Sequence, residues 1–311
     1  MSETPLDYQA AIAQGWLPIR EVAQRTGVNP VTLRAWERRY GLVVPQRTCK
    51  GHRLYSPEQI ARIQAVLTWL NRGVAVGQVR ELIALERPPQ PTGDDPWQRL
   101  REELLQHIVR QAQRPLDEAF NRAQALYPPG LLCARLLLPL LDDLQQRWRD
   151  LAFGAQLERV FFHSWLRSKL GTRLHHDNRQ RAGAPLLLVN QSELPFEPGL
   201  WLCAWLVGSA GCPAQVLDWS VPSSELVQAV DHIAPRALLL YSSQALATAQ
   251  RHQLPRLVEA CAVPLLLVGP AASIHAEELG AIPGLDLAAD PLLAERRLRE
   301  LRLLEEPQCT S

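Results

Sequence analysis

Apolar positions recur along the chain with two different periods, and the change of period divides it. Residues 16–87 read as short helices around a β-like insert. Between 97 and 182 only a helical period is present. Leu100, Leu104, Leu105, Ile108 and Val109 fall on one stripe, and Leu131–Trp148 and Leu157–Leu174 repeat the pattern. About four helices fit there, enough for a small bundle. After residue 183 the apolar residues gather into short unbroken runs at Pro185–Val189, Gln215–Asp218, Ala237–Tyr241, Pro264–Val268 and Leu285–Leu287. Helical stretches at 199–210, 222–233, 245–260, 273–279 and 291–304 lie between or after them. Unbroken runs alternating with helices predict a parallel sheet covered on both faces.

Punctuation sharpens the first zone. Ile19–Gly27 is a short helix stopped by glycine, and Asn29 then caps a second helix whose first position is Pro30. That second helix runs Val31–Tyr40 and stops at Gly41. Two short helices joined by a tight turn form a helix-turn-helix, whose second helix enters the DNA major groove. Val22, Ala23, Val31, Leu33 and Trp36 are expected to hold the helices together, leaving Thr32, Arg34, Glu37 and Arg38 on polar faces. Val43–Tyr55 reads as a hairpin wing, and Ser56-Pro-Glu-Gln59 is a capping box opening a third helix. Residues 88–96, rich in proline, read as a linker.

The expected fold is therefore multi-domain. An all-α winged helix-turn-helix (16–87) precedes the linker, a helical bundle (97–182) and an α/β flavodoxin-like, doubly wound parallel sheet (183–305).

The net charge of +1 argues against a strongly basic nucleic-acid binder until it is divided by segment. Residues 1–87 carry +5 and the remainder carries −4. Residues 17–57 alone hold 8 basic and 2 acidic side chains. A small basic module joined to a mildly acidic body suits a protein that meets a polyanion with one part only. No stretch is long and apolar enough to span a membrane, and Met1–Gln14 lacks the basic start of a secretory signal, so a cytoplasmic location is expected. The six cysteines form no Cys-x-x-Cys pair and no metal site is expected.

The stretch Val31-Thr-Leu-Arg-Ala-Trp-Glu-Arg-Arg-Tyr-Gly-Leu42, followed by Pro45-Gln-Arg-Thr48 and Gly51-His-Arg-Leu-Tyr55, resembles the winged helix of the MerR family of transcriptional regulators. That resemblance implies double-stranded DNA as partner. Thr32, Arg34, Arg38 and Arg39 would lie on or beside the recognition helix. Arg47, Lys50, Arg53 and Tyr55 would be wing contacts, with a core role for Tyr55 equally open.

The bundle-plus-sheet body resembles the cobalamin-dependent CarH and LitR branch and the MlrA-type regulators. In the cobalamin branch, a Trp followed after nine residues by Glu-His covers the upper corrin face. Here Trp148 and Glu158 match, and Arg159 replaces the histidine. The branch also has an Asp/Glu-x-His-x-x-Gly loop after the first strand, whose histidine ligates cobalt. Here Phe196 stands three residues before Gly199, with Leu194 in the acidic place. A Gly-Gly turn after the fourth strand becomes Gly269-Pro270. Phenylalanine cannot ligate a metal.

The expectation is a DNA-binding regulator with no cofactor, cobalamin included. Its degenerate cobalamin-binding-like body would receive a signal through a partner protein or another ligand in a pocket between bundle and sheet. Trp148, Glu158, Arg159 and Phe196 are the pocket candidates. A weak homodimer or DNA-driven oligomer is expected, because DNA binding favours paired half-sites. The alternatives are a cobalamin-binding, light-responsive regulator and an enzyme using the α/β domain. The enzyme reading lacks a glycine-rich phosphate loop and a nucleophile elbow, and no catalytic residue is assigned.

Overall fold

A computed structural model describes residues 11–12, 14–48, 51–71, 74–85, 95–149 and 153–304. Most of the Pro-rich linker, together with Cys49 and Lys50, lies outside the described residues. The chain divides into two compact units, one ending at Glu158 and the other running Arg159–Glu305.

In the first unit, α1 (Ile19–Thr26) ends where Gly27 takes a left-handed φ of 71° and donates its N–H to the Ala23 carbonyl. Helix α2 (Pro30–Ala35) opens on the Asn29 side chain, which accepts from the Thr32 N–H at 2.8 Å. It continues through one widened, π-type turn, Trp36–Tyr40, and stops at Gly41, again left-handed at φ 57°. The wing is a small antiparallel sheet in the order β1 (Leu17–Pro18), β3 (Arg53–Tyr55), β2 (Gln46–Arg47). Its register sets Leu17 opposite Tyr55 and Arg47 opposite Arg53.

Helix α3 (Pro57–Asn71) carries the expected capping box: Ser56 N–H donates to Gln59 Oε1 at 2.9 Å and Gln59 N–H to Ser56 Oγ at 3.3 Å. After α4 (Val76–Leu85), the bundle helices are α5 (Pro96–Val109) and α6 (Gln113–Leu126). They interlock through buried Leu104 and Ile108 against Leu116, Phe120 and Ala123. Next come α7 (Pro129–Leu132), a π-type turn at Cys133–Leu137, and α8 (Leu138–Arg149). The division between units falls within the next helix, α9 (Ala155–Arg179).

In the second unit, β4 (Leu186–Asn190), β5 (Ala214–Leu217), β6 (Ala237–Tyr241), β7 (Leu265–Val268) and β8 (Leu285–Ala288) form one parallel sheet in the order β5-β4-β6-β7-β8. The five expected strands are present, and the doubly wound order follows from them. Alternation across each strand splits the core into two layers. Leu186, Leu188, Leu239 and Leu266 meet α10 (Pro198–Ser209) and α15 (Pro291–Glu300) on one face. Leu187, Val189, Leu238 and Leu265 meet α11 (Ser223–Ile233) and α12 (Thr248–Ala260) on the other. The single helix expected at 273–279 is two, α13 (Pro270–Ile274) and α14 (Ala276–Leu279). Its break is at His275, whose backbone leaves helical angles and whose Nε2 accepts the Leu246 N–H at 3.1 Å.

Candidate functional site

The recognition helix has a packed side and an open side. Thr32, Leu33 and Trp36 are buried, and the Trp36 indole N–H donates to the Leu126 carbonyl at 2.9 Å. Helix α2 thus seats its back on α6. Arg34, Arg38 and Arg39 are exposed, and none has an ion-pair partner among the described residues. Arg34 and Arg38 lie four residues apart, so they share a face. Positive charge that is free, exposed and aligned along a helix suits contact with phosphates and base edges.

The wing is fastened to that helix by Glu37. Its carboxylate, 12% exposed, accepts from Arg53 Nε at 2.6 Å and from Arg47 Nη2 at 3.2 Å. Burial pushes the Glu37 carboxyl up, but the bonds and charges of Arg53 and then Arg47 outweigh it and hold the group below the usual range. Arg53 is largely covered by this pairing, whereas Arg47 keeps half its side chain in solvent. In the sequence Glu37 stands only as a residue of a polar helix face. Opposite charges 10 and 16 residues away were the available signal, but only the folded hairpin brings them together.

Of the expected contact residues, Thr32 is corrected, and Tyr55 takes the core role that was left open for it. Thr32 and Tyr55 are completely buried. Thr32 sits on the same inward side as Trp36, one helical turn earlier. Tyr55 plugs the module core, and burial, followed by the Glu37 charge, pushes its phenol up to about 12. Neither can reach DNA in this conformation. Val31, expected in the core, is instead 55% exposed.

Of the four pocket candidates, Trp148 and Glu158 belong to the first unit and Arg159 and Phe196 to the second. In the first unit Glu158 accepts a bidentate pair from Arg147 at 2.8 and 2.9 Å, and the Trp148 side chain lies close enough to help hold its carboxyl down. The Arg147 bonds, working against burial, hold the carboxyl below its usual range. The retained Trp148 and Glu158 therefore meet each other.

In the second unit Phe196 is buried, with the His163 ring 5.0 Å away and Trp201 stacked at 6.5 Å. The Arg167 guanidinium lies over its face, 5.7 Å from the centroid. Asp218 ties this cluster together, ion-paired to Arg167 and accepting the Trp201 indole N–H at 2.9 Å. Burial, and then the charge of Arg159, push the His163 imidazole down to about 4.

That shift sets a pH dependence. An unfolded imidazole titrates near 6.5, so between about 6.5 and 4 the unfolded chain binds a proton that folded His163 refuses. The stability is present above 6.5 and drains away as pH falls toward 4. Urea unfolding followed by tryptophan fluorescence should show a midpoint that drops from pH 7 to pH 5. His163→Gln should flatten that part of the drop. An unchanged slope in the variant would contradict the assignment.

Tyr241, at the end of β6, fills the space between two glycines. A Cβ on Gly199 would lie 1.8 Å from the Tyr241 Oη, and one on Gly269 would lie 3.0 Å from its ring. Glu197, also buried, accepts from the Ser243 N–H at 2.9 Å and hydroxyl at 2.7 Å. Among the described residues no group of three or more His, Cys, Asp or Glu side chains could hold a metal, and no helix is long and apolar enough to cross a membrane.

Residues 17–86 match the family described as MerR HTH family regulatory protein. The HTH-type transcriptional regulator MlrA of Escherichia coli K12 is 32% identical over 239 residues, covering 76% of this chain and 92% of that protein. The HTH-type transcriptional repressor CarH of Myxococcus xanthus is 28% identical over 232 residues, covering 70% and 75%. A corrinoid protein for monomethylamine from Methanosarcina barkeri aligns in structure with a TM-score of 0.49 at 17% identity, over 67% of this chain and 99% of its own.

Proposed function

This chain belongs to the MerR family of DNA-binding transcriptional regulators, related to MlrA and CarH, and we propose that Arg34, Arg38, Arg39 and Arg47 make its DNA contacts while its C-terminal body takes a signal other than cobalamin. Arg53 holds the wing in place through Glu37. The observation that carries the DNA reading is the exposed, unpaired Arg34–Arg38 face backed by a wing locked to the same helix. Binding that neutralises about six phosphates gives a log–log salt slope of about −5, which a titration from 50 to 200 mM salt would check. A flat slope would overturn it. Paired half-sites would be met by a weak homodimer or by assembly on DNA, in the cytoplasm.

Two features support an input other than cobalamin. The position that a cobalt-binding histidine would take belongs to Phe196, which offers no lone pair and is packed by His163, Trp201 and Arg167. The turn at Gly269 has its space taken by Tyr241. A partner protein, or a small ligand of another class, is the input that remains. That MlrA and CarH are transcriptional regulators supports reading this chain as a regulator and not an enzyme. Purified protein incubated with adenosylcobalamin and desalted should carry no corrinoid absorbance. Stoichiometric retention would restore the cobalamin-binding alternative.

A further inference from the structure

We propose that Val31 is a specificity-determining residue that reads the 5-methyl group of a thymine in the major groove. The inference rests on the DNA-binding reading of the recognition helix and deepens it. Val31 is the second residue of α2, immediately after Pro30, and it is 55% exposed. The core of the module closes without it, on Val22, Val28, Leu33, Trp36 and Leu42. Among the described residues it is the one large apolar side chain left exposed on α2. A β-branched residue is also not favoured there by helix propensity.

Its position gives the exposed valine a specific neighbour. Val31 and Arg34 are three residues apart, and Arg38 follows four residues later, so the three side chains share the open face. The first turn of a recognition helix is the part that meets base edges. Of the groups presented in the major groove, only the thymine C5-methyl is apolar, and apolar side chains are its usual partners. Arginine pairs best with guanine O6 and N7. The rise from residue 31 to 34 is about 4.5 Å, a little more than one base-pair step of about 3.4 Å. The site should therefore hold a thymine within one or two base pairs of the base read by Arg34.

The test removes one methyl at a time from the DNA. Full-length protein selects its site from a random duplex pool, and each thymine of the half-site is then replaced by deoxyuridine. Affinities are measured by fluorescence anisotropy at fixed salt. For the wild type, one thymine should be sensitive, with uracil costing roughly fourfold, the value of burying one methyl-sized group. Val31→Ala should lose a similar factor on thymine DNA and show no uracil effect at that position. Val31→Thr, which keeps one branch methyl, should retain part of it. Because the side chain is exposed and alanine favours helix, the variants should fold, as circular dichroism would show. Tight binding by the wild type that ignores every uracil, or a uracil effect that survives in Val31→Ala, would overturn the proposal and leave the DNA-binding reading standing. Failure to select or bind any duplex would overturn both.

Discussion

Exchanging Arg34 and Arg38 together for alanine is expected to weaken binding to a selected operator by at least about thirtyfold and to leave the fold unchanged. Both side chains are exposed and without an ion-pair partner among the described residues, so their removal strands no buried charge. A bidentate arginine–base pair contributes about 1–3 kcal/mol of discrimination, and the loss of two such contacts compounds. The single variants should separate the roles. An arginine that reads a base relaxes specificity at one position when lost, whereas one that meets phosphate weakens all sequences alike and lowers the salt slope by about one. Anisotropy on the operator and on scrambled DNA, each across a salt series, distinguishes them. Retained affinity in the double variant would move the DNA interface away from this face.

Arg53 is the poorer choice for such a test, although the sequence points to it equally. Its loss would leave the carboxylate of Glu37, mostly shielded from water, with only Arg47 at 3.2 Å. Weakened DNA binding would then report a loosened wing as much as a lost contact.

What was legible in the sequence was local or unbroken. Gly27 and Gly41 stop their helices because only a residue without Cβ takes left-handed angles cheaply, and that requirement shows in the residue type alone. The three central strands, β4, β6 and β7, are buried on both faces, so each leaves a nearly continuous leucine or valine run instead of an alternation. The orientation of Val31 and Thr32 was not legible. Their side chains differ by a single position around a short helix, and the apolar one turns outward while the hydroxyl turns in. Composition favours the opposite arrangement, and only the seating of α2 on α6, with Trp36 donating to Leu126, decides it.

The cofactor-like body shows the same divide. The missing imidazole at Phe196 is plain in the sequence. Tyr241 reads there only as the end of an apolar run, because its two glycine neighbours stand 42 residues before it and 28 after.

That packing predicts a large effect from a very small change. Gly199→Ala should destabilise the protein by about 3 kcal/mol, the upper part of the usual range for overfilling a core. Gly199 has no unusual φ, so the cost is one of space and not of backbone strain. The new methyl would meet Oη at 1.8 Å and Cζ at 2.2 Å of a tyrosine that is itself 6% exposed. The ring cannot step aside toward Gly269, where the turn already approaches it closely, and the Ser242 carbonyl lies 2.7 Å from where a Gly269 Cβ would be. Tyr241→Leu alone should also destabilise, by leaving part of the space empty. Combined, the two changes should cost less than their sum by more than 1 kcal/mol, because each relieves the fault made by the other. Urea midpoints at constant m would measure this coupling. Strict additivity would mean that Tyr241 does not occupy the space above Gly199, and the case against cobalamin would rest on Phe196 alone.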